Sequence, residues 1–222
     1  MISSLSELAS ASSLVLPTLL LQIETDERSV YPDVMTWRHE WKLRTLAAQP
    51  VLSCIYDFEW LAPDAASEVL AGWLSPRFQN GRRFLPFAQT GAGDAYCLTP
   101  IGNGSLGIAI VWHDREKSQV TAASFDDFVY ESLVLSAVDF SDLIDDGFTR
   151  DEAMQCVVAN ISYVKPFLSE GHQIGLEHIL HSAELEATAE GMISENVGHA
   201  ALARLPQLEE PTFVVVPRWE CE

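Results

Sequence analysis

The sequence predicts an α+β fold, and three observations carry that reading. The stretch from Arg83 to Leu133 (RFLPFAQTGAGDAYCLTPIGNGSLGIAIVWHDREKSQVTAASFDDFVYESL) reads as three short strands followed by a helix. The turns between those strands are rich in Gly and Asn, which tolerate the positive φ of tight hairpins. After Leu133 the apolar pattern turns helical, with one further strand signal only at Thr212. Strands and helices in separate runs mark an α+β arrangement. A meander of this kind buries one face, and a helix or second layer has to cover it.

From the amino terminus, Ser3-x-x-Ser6-Glu7 offers the start of a short helix or a frayed end. Leu16 to Glu24 is apolar and stays open between helix and strand. Val34 to Ala48 carries Trp37 and Trp41 four apart and the Leu43/Leu46 pair three apart, which predicts a helix. Val51 to Leu61 mixes β-branched and aromatic residues and predicts a strand. In Asp64 to Leu74, Asp64 is the candidate N-cap, and Pro76 closes the helix. The meander strands follow at Phe84–Gln89, Ala95–Pro100 and Gly107–His113, the second entered through a Gly93-Asp94 turn. Asp126 and Asp127 place negative charge where the next helix dipole favours it, and Phe125, Phe128, Val129 and Leu133 share one side. Thr149-x-x-Glu152 is a capping box for a helix to about Val164, which Pro166 ends or kinks. Gly171–Glu190 and Met192–Leu205 predict two more helices. Thr212–Val216, framed by Pro211 and Pro217, predicts a buried strand that adds to the main sheet or pairs locally. Trp37, Trp41, Trp60, Trp73 and Trp112, with Phe84, Phe87, Phe125 and Phe128, are the candidate aromatic core.

Four pieces of this pattern occur in a fixed order: FLPFA (Phe84–Ala88), GDAYCL (Gly93–Leu98), VWHD (Val111–Asp114) and SFDDF (Ser124–Phe128). In order and spacing they resemble the SMI1/KNR4 family of the SUKH superfamily. The resemblance implies an α+β fold with a mainly antiparallel sheet packed by helices. It also implies a binding module, since members are chiefly immunity proteins of bacterial toxin systems, with others in fungal cell-wall regulation. On this basis residues 1–135 are expected to form a SUKH-like domain. Residues 136–222 are expected to form an acidic, mostly helical extension that ends in a short strand and packs on the first part.

Composition narrows the function classes. The chain has 222 residues, 48% of them hydrophobic, which suits a packed globular protein and argues against wholesale disorder. Its net charge of −19 argues against nucleic acid or an anionic membrane, because phosphate contacts need a basic surface. Residues 1–118 hold 13 acidic and 9 basic residues, whereas residues 119–222 hold 19 and 4. Cys54, Cys97, Cys156 and Cys221 form no C-x-x-C pair and read as reduced thiols in a cytoplasmic protein. The first residues lack a basic signal-peptide region, and Leu14–Ile23 is too short to span a bilayer.

The motifs that suggest chemistry give way to simpler readings. Gly102-x-Gly104-x-x-Gly107 spells the dinucleotide fingerprint, but a β-branched run follows where a helix N-terminus is required, so it reads as a hairpin loop. Counted from Asp142, a calcium loop would need its bidentate Glu where Ala153 stands. His178 and His181, with Glu177 and Glu184, make one possible ligand set, without the second set a di-metal bundle needs. His113-Asp114 lacks the local signature of a nucleophile, so Asp114 reads as a turn residue after a strand.

No catalytic, cofactor-binding or metal-binding residues are therefore expected, and the chain is not expected to be an enzyme. The resemblance predicts a cytoplasmic immunity protein that neutralises a cognate toxin or secreted effector by direct stoichiometric binding. Asp139, Asp142, Asp145, Asp146 and Asp151 are the candidate partner-binding residues, for their charge density at an expected loop and the basic partner they would suit. Two alternatives stay open: a small hydrolase with a dispersed active site around His113 and Asp114, and a scaffold or regulatory protein with no toxin.

Overall fold

The computed structural model describes residues 4–102, 104–186, 188–209 and 211–221, with the side chains of 184–186 outside the description. In chain order the helices are α1 (Leu5–Ala11), α2 (Thr18–Thr25), α3 (Val34–Leu46), α4 (Pro63–Ala71), α5 (Phe125–Val138), α6 (Ser141–Asp145), α7 (Arg150–Val164), α8 (Glu170–Glu186) and α9 (Glu195–Leu202). The strands are β1 (Glu59–Trp60), β2 (Leu85–Gln89), β3 (Ala95–Pro100), β4 (Leu106–Val111), β5 (Lys117–Ala122) and β6 (Thr212–Val214). Two compact units emerge: residues 1–26, 57–128 and 206–222 form a sheet unit, and residues 27–56 and 129–205 form a helical unit. The line expected at 135/136 falls within α5.

In the sheet unit the strands pair in sequence order, each antiparallel to its neighbour. This is the expected α+β architecture. Gly93 (φ +93°) turns β2 into β3, and Gly104 (φ +81°) turns β3 into β4 where the Ile101 N–H donates to Ser105 O at 3.0 Å. A Cβ on Gly107 would lie 2.9 Å from Ala122 O, so the last glycine of the apparent fingerprint serves close strand packing. Asn103 lies outside the described residues.

Both faces of the sheet are covered, which is why β2 reads as a continuous apolar run. On one face Trp73, Leu74, Phe84, Cys97, Ala109 and Val111 pack with Val215 and Cys221. On the other, Phe58, Trp60, Phe87, Tyr96, Phe125 and Phe128 form a ring cluster with centroids 5.2–6.4 Å apart. The tail joins the main sheet at β5, and the Gln79 side chain clasps it: Nε2 donates to Val216 O at 2.9 Å, and Oε1 accepts the Val216 N–H at 3.0 Å.

The helical unit is held by buried polar contacts as well as apolar ones. Asn160 is fully buried; its Oδ1 accepts the Leu52 N–H at 2.5 Å, and its Nδ2 donates to Cys156 O at 2.8 Å. A Cβ on Gly191 would lie 2.0 Å from Val138 O, so only glycine lets that segment approach α5. Tyr130 stacks on His172 at 4.6 Å.

Several expectations change. Val51–Leu61 is strand only at Glu59–Trp60, because Leu52 (φ +65°) and Asp57 (φ +52°) turn the backbone and Asn160 takes the Leu52 N–H. The open segment Leu16–Glu24 is helical from Thr18, and Ser4 caps α1; Ser3 lies outside the described residues. Asp64 sits in the first turn of α4, whose N-cap is Ala62. The extra strand β5 was hidden by its polar composition, KSQVTA, although its burial alternates as a strand should. Trp60 and Trp73 are buried, while Trp37, Trp41 and Trp112 are half-buried.

Candidate functional site

The candidate aspartates gather where α5 gives way to α6 and α7. The Asp139 N–H donates to Leu135 O at 2.9 Å, and its Oδ1 accepts the Ser141 N–H at 2.8 Å. In α6 Leu143 turns inward, with Phe140 before it and Phe148 after it, and all three are buried. Gly147 (φ +92°) then reverses the chain, its N–H bonding Ile144 O at 2.9 Å and the Phe148 N–H bonding Leu143 O at 3.0 Å. That pair of bonds is a Schellman closure, and it accounts for the Asp-Gly step that resembles a calcium loop. With the apolar side anchored, Asp139, Asp142, Asp145, Asp146 and Asp151 are all exposed. The expected loop is thus a short helix, because Phe140, Leu143 and Phe148 give the segment an inward face.

The carboxylates act on one another. Partial desolvation raises the pKa of Asp142, and the charges of Asp139, Asp145 and Asp146 raise it further. Beside them the predicted capping box forms: the Thr149 N–H donates to Glu152 Oε2 at 2.7 Å, and the Glu152 N–H donates to Thr149 Oγ1 at 3.3 Å. Lys42 Nζ lies 3.0 Å from Glu152 Oε2, donates to Gly147 O at 2.9 Å and sits 5.0 Å from the centre of the Phe148 ring. The Thr149 backbone N–H, then Lys42 and the Thr149 hydroxyl, hold the Glu152 carboxyl down at about 2.

The other candidates lie apart. His113 and Asp114 follow β4 in the sheet unit, where His113 Nδ1 is 2.8 Å from Asp94 Oδ1 and the same oxygen accepts the His113 N–H at 3.0 Å. Among the described residues no serine or cysteine side chain bonds that ring. His178 and His181 are both exposed on α8, with His178 Nδ1 3.4 Å from Ser182 Oγ and Glu177 paired to Lys165 at 3.0 Å. The Glu184 side chain lies outside the described residues. All four cysteines are free and buried, and burial pushes the Cys54 and Cys156 thiols up to about 12. A cavity of about 360 Å³ opens in the helical unit among Tyr130, Gly175, His178, Val197 and Arg204. No helix among the described residues is long and apolar enough to cross a membrane.

The model of the SMI1 / KNR4 family (SUKH-1) matches residues 25–131. The match supports the assignment to that family read from the four motif pieces. No curated protein and no solved structure matches the chain. The SUKH-1 segment contains all four motif pieces, β1 to β5 and the start of α5, and it reaches upstream through α3. Asp139 to Asp151 lie beyond it, so their candidacy rests on their own charge and exposure. Sequence reasoning missed the partner of His113, for Asp94 is 19 residues upstream; the signal lay in two hairpin ends, GDAYCL and VWHD, facing each other.

Proposed function

We propose that this SUKH-1 member is a cytoplasmic bacterial immunity protein that neutralises a cognate toxin or secreted effector by direct, stoichiometric binding, with no catalytic step of its own. The family match over residues 25–131 carries the reading. Five exposed aspartates anchored by buried Phe140, Leu143 and Phe148 support it, because they offer a basic partner a firm acidic surface. Complementary charge mainly speeds capture and suppresses wrong partners, while apolar contacts set the slow dissociation.

Co-expression with the product of the adjacent gene tests this directly. A toxin that arrests growth alone, is silenced by this chain and co-purifies with it in a one-to-one complex is the expected result. Growth arrest that persists despite a stable complex would reassign the chain to a scaffold, and turnover of a toxin product without any complex would reassign it to an enzyme.

A further inference from the structure

We propose that the end of the β3–β4 hairpin is a binding site for a divalent first-row transition ion, with Asp94, His113 and Asp114 as ligands. Their donor atoms all lie within 4.8 Å of one another. Donors on one such ion, at bond lengths of about 2.0–2.2 Å, stand about 3.0–3.4 Å apart, so exposed Asp114 has to move in toward the other two.

The other two ligands are held in advance. Ala95 faces Val111 in the ladder, which brings Asp94 and His113 to the same end of the sheet. The Asp94 N–H donates to Thr90 Oγ1 at 3.1 Å, its Oδ1 accepts the His113 N–H, and His113 O accepts the Arg218 N–H at 2.9 Å. The Asp94 side chain is 14% exposed, so its carboxylate is not free to swing away into water. The ion would take the place of the proton shared by His113 Nδ1 and Asp94 Oδ1, that proton leaving to solvent.

A hairpin lock needs only Asp94 and His113. Asp114 is the third donor that a lock does not require, and its ion pair among the described residues is with Arg115 Nε, at 3.7 Å. One imidazole with two carboxylates suits zinc, nickel, cobalt or manganese, whereas calcium and magnesium prefer all-oxygen shells. Three protein ligands leave room for water on the ion.

Zinc titrated calorimetrically into the full chain tests the site, with the visible absorption of bound cobalt as a second readout. One ion per chain is expected, with binding weakened more than about tenfold in Asp114→Asn and in His113→Gln, and unchanged in His178→Gln. Asp114 is exposed, so its variant should keep the fold even if His113→Gln does not, which circular dichroism checks. Zinc binding equally tight in Asp114→Asn, or no single-site binding in the parent chain, overturns the proposal.

Discussion

Grouped by space and by sequence, the charge of this molecule tells two different stories. By halves of the chain it is lopsided, with the second half strongly acidic. By compact units it is even: the sheet unit holds 16 acidic and 6 basic residues, and the helical unit holds 16 and 7. The difference arises because residues 27–56 bring Arg28, Arg38, Lys42 and Arg44 to the helices. Lys42 reaches Glu152 and the Gly147 carbonyl. What distinguishes the candidate surface is therefore local: four aspartates within eight residues, where desolvation and then the neighbouring charges raise the pKa of Asp142.

The two units also differ in what holds them, and substitutions test that difference. The largest effect belongs to the aromatic face of the sheet. Phe87, fully buried among four rings, should cost about 3–5 kcal/mol on truncation to alanine, read from the urea midpoint. A cost below about 1 kcal/mol would mean that the cluster is not the core of that unit. In the helical unit Asn160→Ala should cost about 1–3 kcal/mol, because it strands the buried Leu52 N–H. Local amide exchange at Leu52 should rise with it; unchanged protection there would show that another acceptor takes over.

Acid separates the units more gently. The Glu152 carboxyl sits at about 2, below its ordinary 4.5. Its contribution is fully present above the ordinary value and is lost as pH falls through about 2. Helix α7 should loosen at its N-terminus over that range, and Glu152→Gln should remove this step from an NMR-monitored acid titration. Reversing Asp139, Asp142, Asp145, Asp146 and Asp151 to lysine should leave the folded state intact and slow partner association, with a shallower salt dependence. Equal association rates for parent and variant would discard the surface. The smallest effect is Asp142→Asn. A carboxyl raised in the folded state weakens folding once it ionises, so this change should slightly raise the melting temperature at neutral pH.

Much of the fold was legible because local signals agreed with the packing that followed. The hairpin glycines, the Thr149–Glu152 capping box and the apolar strands each marked an element on their own. β5 did not, since a strand of Lys, Ser, Gln and Thr becomes a strand only once β4 is beside it. Val51–Leu61 misled for the converse reason: residues suited to a strand are buried there by turns whose backbone a side chain from α7 satisfies. The acidic surface was legible as composition, but its short helix was not, because Phe140, Leu143 and Phe148 are too few to set a period. For Asp94 and His113 the hairpin ends GDAYCL and VWHD were legible, but only the β3–β4 register pairs the two residues.

The pairing of β5 with β6 has a consequence for synthesis. Gln119 meets Thr212, 93 residues later, so β5 emerges from the ribosome long before the strand that shields its outer side. Closing so large a loop adds little entropy beyond a shorter one, but it comes late. Until residue 212 appears, the nascent chain carries a raw β-edge that any extended segment can join, its own or a stranger's.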